Sequence, residues 1–227
     1  MKNCIKAIAA GLVLSASFSA SATLYQYEDL NANNGGGLGD RLETIVTTYN
    51  SDSQLFTWDV TFNSNPTDVD GFWLVVDNGP NPKSSDVNEL AIMYGDLVTG
   101  TLTTYVYNGL NSSNSWGTPG ILLQTDTFTT TSDSLSIALD TTSINAWAAG
   151  NYSGISFDDN IGIWFHVSTG SSFGYDEKTI TNYSYAAQGW YDIANRTTTQ
   201  IPEPTSSMLM GLGLLALSYS RSRRIAK

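Results

Sequence analysis

From about residue 55 to residue 195, apolar and polar positions trade places in short runs with a period of two. Phe56, Trp58, Val60 and Phe62 alternate with Thr57, Asp59 and Thr61, which predicts a strand with one aromatic face buried. Phe72 to Val76 is continuously apolar, bounded by Gly71 and by Asp77-Asn78-Gly79-Pro80. That run predicts a strand covered on both faces and closed by a turn. Leu90 to Tyr94 ends at Gly95-Asp96, and Thr101 to Tyr107 alternates until Asn108-Gly109, the strongest short-range turn dipeptide. Further strands are predicted at Ile121 to Phe128, Leu135 to Leu139, Ile161 to Val167, Ile180 to Tyr185 and Trp190 to Ile193. A single helical segment is expected, Thr142 to Ala149, with Thr or Ser as its N-cap.

Many short strands separated by Gly, Asn and Asp turns, and rich in Thr, Tyr and Trp, indicate an all-β body. No internal repeat is visible, which argues against a propeller or a β-solenoid. The expected architecture is one antiparallel β-sandwich over residues 23–200, jelly-roll or lectin-like. Roughly 180 residues is long for an immunoglobulin-type fold of about 100.

The two ends depart from this pattern. Lys2 and Lys6 precede an apolar run from Ile8 to Phe18, followed by Ala20-Ser21-Ala22, a small-x-small cleavage site. Residues 1–22 therefore read as a Sec signal peptide, with Thr23 as the mature start. At the other end, Pro202 and Pro204 break the chain, since proline fixes φ and donates no hydrogen bond. No charge occurs from Ser206 to Ser220, and Arg221, Arg223 and Arg224 follow. As a helix this stretch spans roughly 22 Å, short of the roughly 30 Å hydrocarbon core. The arginines mark its cytoplasmic side.

Pro202-Glu203-Pro204, the short apolar run and the arginine cluster together resemble, in order and spacing, the PEP-CTERM sorting signals of exported bacterial surface proteins. The resemblance covers residues 201–227, with the membrane segment at 206–220. It implies an exosortase that cuts near the Pro-Glu-Pro and releases or transfers the protein. It also implies a Gram-negative host that makes extracellular polysaccharide. The apolar run is then a transient inner-membrane anchor. Gly71 to Val76, Tyr94-Gly95-Asp96, Tyr105 to Gly109 and Gly162 to His166 look like stretches shared by a group of uncharacterised proteins with the same tail, to which no activity attaches.

Charge changes once both signals are set aside. Of ten basic residues, Arg41, Lys83, Lys178 and Arg196 remain in the body, and of 21 acidic residues only Glu203 falls outside it. The body thus carries about −16, which argues against nucleic acid, whose affinity rests on cations neutralising phosphates. Cys4 is lost with the leader, so the mature chain has no thiol for a disulfide or for catalysis.

Candidate chemistry is sparse. His166 is the only histidine, no Gly-x-Ser-x-Gly elbow accompanies it, and one histidine without cysteine is too little for zinc. Its alternation with Ile163, Phe165 and Val167 puts it on the opposite strand face, beside Trp164 and Ser168. Asp68, Asp70, Asp77, Asp158 and Asp159 are the candidate calcium ligands, because hard cations want several oxygens. Neither the stretch from Asp68 to Asp77 nor that at Asp158-Asp159 fits the spaced EF-hand pattern, and aspartate and asparagine in turns usually serve turn geometry. Trp116, in an Asn-Ser-Gly-Pro loop, is the candidate glycan contact. The expectation is a non-enzymatic surface or matrix protein associated with exopolysaccharide or biofilm. The alternative is a secreted polysaccharide hydrolase or lyase using paired acids.

Overall fold

The computed structural model describes residues 23–63, 68–82, 89–109 and 120–202. The leader with Ala20 and Ala22, the loop carrying Trp116, and the tail from Glu203 and Pro204 through Arg221, Arg223 and Arg224 lie outside these residues. So does the apolar stretch 206–220. Among the described residues no helix is long and apolar enough to cross a membrane.

The strands are β1 (Thr23–Asp29), β2 (Gly36–Gly37), β3 (Leu42–Asn50), β4 (Leu55–Phe62), β5 (Gly71–Asp77), β6 (Leu90–Asp96), β7 (Thr101–Tyr107) and β8 (Leu122–Thr127). They continue as β9 (Thr129–Thr130), β10 (Ser134–Asp140), β11 (Asn160–Thr169), β12 (Ser172–Asp176), β13 (Thr179–Ser184), β14 (Ala187–Thr197) and β15 (Thr199–Pro202). One sheet has the order β15-β1-β3-β4-β10-β9, the other β2-β14-β11-β5-β6-β7-β8, and β12 with β13 forms a separate hairpin. Strands β5 to β8 run as an antiparallel meander. The chain then returns to the first sheet beside β4 and crosses back to lie beside β5. The body is thus mostly β and antiparallel, as its alternation predicts.

Between the two sheets sits the main core. Phe56, Trp58, Val60 and Phe62 of β4 are buried as the period-two reading requires, and they meet Phe72, Leu74, Val76, Ile163 and Phe165 from the second sheet. Trp58 and Phe165 pack edge-on with ring centres 5.1 Å apart, and Phe165 meets Phe72 at 5.7 Å. Aromatic pairs in such tilted geometry contribute about 0.5–1.5 kcal/mol beyond the area they bury.

A second core lies on the outer side of the seven-stranded sheet. Trp73 and Val75 of β5, Leu90, Ile92 and Tyr94 of β6, Tyr105 and Tyr107 of β7 and Trp164 of β11 pack there with Ile180 and Tyr183 of the hairpin. This accounts for the continuous apolar run of β5, every residue of which is buried. Gly189 makes the packing on the inner side possible. A side chain there would overlap the backbone of Leu38 and Gly39, part of a 3-10 turn at Leu38–Arg41.

The helix is a correction. It spans Thr142–Asn145 only, and its N-cap Thr141 makes no side-chain capping bond. Asp140 Oδ1 accepts from Thr142 N–H instead, at 2.9 Å. Asn145 then stops the helix with long-range bonds, its amide donating to Tyr49 Oη and Ile155 O and accepting from Ile155 N–H.

Candidate functional site

The five candidate calcium ligands do not converge. Asp68 and Asp70 precede β5, whereas Asp77 ends it, seven residues or roughly 23 Å beyond Asp70 along an extended strand. Asp158 and Asp159 precede β11, whose Gly162 pairs with Asp77, so these three share the opposite end of the sheet. Each carboxylate has local work. Asp68 Oδ2 pairs with Arg41 Nη2 at 3.3 Å, and Asp70 accepts Ser171 N–H at 3.0 and 3.1 Å. Asp158 accepts Asn160 N–H, and Asp159 accepts the Gln200 amide at 2.9 Å. Among the described residues no three of His, Cys, Asp or Glu form a metal-binding group.

Asp77 is set apart by burial. It is 4 % exposed, and its carboxylate accepts Gly79 N–H at 3.1 Å across the turn. Burial pushes its pKa from 3.8 up to about 7, with the N–H groups of Gly79 and Gly162 opposing.

The chemistry-bearing side chains gather on the outer face of the seven-stranded sheet. Strand pairing puts Trp190 of β14, His166 of β11, Trp73 of β5 and Tyr94 of β6 in one row across the sheet. The His166 ring lies 4.6 Å from Trp73, 5.2 Å from Trp164 and 6.3 Å from Trp190, centre to centre. Hairpin β12–β13 straps the far part of this wall. Ile180 N–H donates to Thr103 Oγ1 at 3.1 Å, Tyr105 Oη donates to Ile180 O, and Tyr183 Oη meets Ser168 Oγ. Burial pushes the Tyr105 phenol up to about 12 and drives Tyr94 and Tyr183 higher as well. These three phenols therefore stay protonated at neutral pH.

His166 sits at the border of strapped and open surface, 8 % exposed. Its Nε2 lies 3.2 Å from Asp192 Oδ1 and its Nδ1 3.4 Å from Gln188 Oε1. The face assignment read from alternation therefore holds. Ser168, its neighbour on that face, engages Tyr183 and Ser171 rather than the imidazole. A serine hydrolase needs a hydroxyl on the ring nitrogen, and this histidine meets an amide and a carboxylate instead.

Trp190 is the feature the sequence did not single out. It is 42 % exposed, and Cε2, Cζ2 and Nε1 of its ring lie directly over Gly36, where a Cβ would overlap all three. Gly36 is its partner in the short edge strand, so the indole rests over a residue without a side chain. Its neighbours on the same face of β14 are Gln188 and Asp192, two residues away on either side. The available signal was the alternation Gln188, Trp190, Asp192 against Gly189 and Tyr191.

Thr23 opens β1, and Pro202 closes β15. Residues 200–224 match the PEP-CTERM protein-sorting motif. The motif marks an exported protein that is anchored in the membrane until exosortase processes it. No curated protein and no solved structure gives a match.

Proposed function

We propose that this exosortase substrate is a non-enzymatic cell-surface or matrix protein, delivered by its Sec leader and sorting tail and retained among the exopolysaccharide of a Gram-negative biofilm. The observation that carries the reading is the sorting motif at residues 200–224, which follows an antiparallel all-β body. Removal of the leader and a cut beyond Pro202 would leave every described strand intact. The strongly acidic surface suits solubility outside the cell. A lectin-like, jelly-roll character belongs to the same reading, supported by the two packed sheets and the paired crossings β4–β5 and β10–β11. Intact-mass analysis of protein recovered from the surface fraction of the native host tests it. A mass running from Thr23 to the Pro202–Pro204 region is expected. Retention of residues 208–227 in the surface form refutes the sorting reading.

A second reading is a polysaccharide hydrolase or lyase. The contact of His166 with Asp192 at 3.2 Å beside an exposed indole favours it. New reducing ends, released from polysaccharide by the wild type and not by Asp192→Asn, are its signature.

A further inference from the structure

We infer that the open face of Trp190, framed by Asp192 and Gln188, is a binding platform for pyranose units that carry no carboxylate. This rests on the matrix reading above and names the site and ligand class for it. The indole lies over Gly36 and beside His166, and these neighbours restrict its rotamers before any ligand arrives. Little side-chain freedom is then lost on binding. The apolar C–H face of a sugar ring matches such a surface in size and flatness, and hydroxyls at the ring's edge meet groups that accept or donate in the same plane. Asp192 and Gln188 supply those groups on either side of the indole, and His166 holds both from behind.

The small apolar patch suits a sugar ring better than a protein partner. Trp190 is the only exposed large hydrophobic on β14 or β11, whereas a stable protein interface buries about 800 Å² on each side. Charge chooses among glycans. The frame offers one carboxylate and no lysine or arginine; Arg41 is engaged by Asp68, and Arg196 lies six residues along β14. With a body near −16, a polyuronate is repelled, while a neutral or amino-sugar chain is not.

The test is affinity gel electrophoresis of the exported protein through a neutral glucan, a partly deacetylated poly-N-acetylglucosamine and a polyuronate. Retardation by the neutral or amino-sugar polymer and none by the polyuronate is expected. Trp190→Ala should weaken that retardation at least tenfold with an unchanged far-ultraviolet circular dichroism spectrum, and Gly36→Ala, which tilts the ring without deleting it, should weaken it less. Should either variant fold poorly, the wild type still decides: the retarding glycan must protect Trp190 from oxidation, read by peptide mass. Equal retardation by polyuronate, no retardation by any polymer, undiminished binding in Trp190→Ala, or an unprotected Trp190 overturns the site. Those outcomes leave the intact-mass result untouched, so loss of the site and loss of the sorting reading are separable.

Discussion

The hydroxyls of Tyr27 and Tyr191 meet at 2.9 Å, joining β1 of one sheet to β14 of the other across 164 residues of chain. Tyr191 also donates to Asp29 Oδ2 at 2.6 Å. Both phenols are buried, which raises their pKa values, and they stay protonated donors through the physiological range. A part-buried carboxylate that loses a donor costs up to about 1–3 kcal/mol. Tyr191→Phe breaks two contacts and takes the phenol donor from Asp29 Oδ2, leaving Oδ1 with the N–H of Asn31, whereas Tyr27→Phe breaks one. Tyr191→Phe is therefore expected to lower Tm more, by about 2–4 °C for each kcal/mol lost in a body of this size. Thermal melts ranking the two variants equally would show that the link between sheets carries little energy.

Asp77 gives the fold a pH dependence of definite sign. Its folded pKa, about 7, lies above the ordinary 3.8, so the protonated form is the one the fold prefers. The stabilisation is complete below the unfolded value and is lost as pH rises through about 7. Full titration corresponds to at most roughly 4 kcal/mol. Asp77→Asn keeps an acceptor for Gly79 N–H and removes the ionisation. Its stability should match the wild type near pH 4 and exceed it at pH 8. Parallel Tm-against-pH curves for the two proteins would contradict the burial argument.

Strands with a clean apolar period were legible in the sequence, and those whose burial depends on a polar residue were not. β4 and β5 stand where alternation and continuity put them. β3 escaped notice because Thr47 occupies a core position and is made tolerable by donating to Thr57 O at 2.6 Å, while pairing slips by one residue near Leu42. β1 buries only Tyr27 fully, too little for a periodic signal. His166 was placed on its correct face, but Asp192 and Gln188 reach it from a neighbouring strand, and no one-dimensional pattern encodes that register. The seat of Trp190 needs a glycine some 150 residues earlier, so it became visible only once β2 paired with β14.

Calcium is expected to do little to the body. The candidate carboxylates divide between two ends of β5, and each already accepts a backbone, amide or guanidinium donor. A site bound tenfold above its dissociation constant adds about 1.4 kcal/mol of stability, which melts resolve as several degrees. Millimolar calcium, against a chelator control, should move Tm by less than about 1 °C. A saturable rise, abolished by Asp158→Asn with Asp159→Asn, would place a site at the head of β11.

The arginines of the tail should decide whether the protein is held long enough to be cut. The fifteen uncharged residues from Ser206 to Ser220 are fewer than the roughly 20 that a spanning helix needs, so retention depends on positive charge that resists translocation. Replacing Arg221, Arg223 and Arg224 by serine leaves residues 23–202, and with them every described strand, unaltered. The expected result is a protein that folds normally and leaves the membrane with its tail uncut, seen as a mass extending through Lys227 in the medium. Cleavage near Pro202 at the wild-type level would mean that exosortase acts without a basic stop, and that the proline-rich segment alone directs sorting.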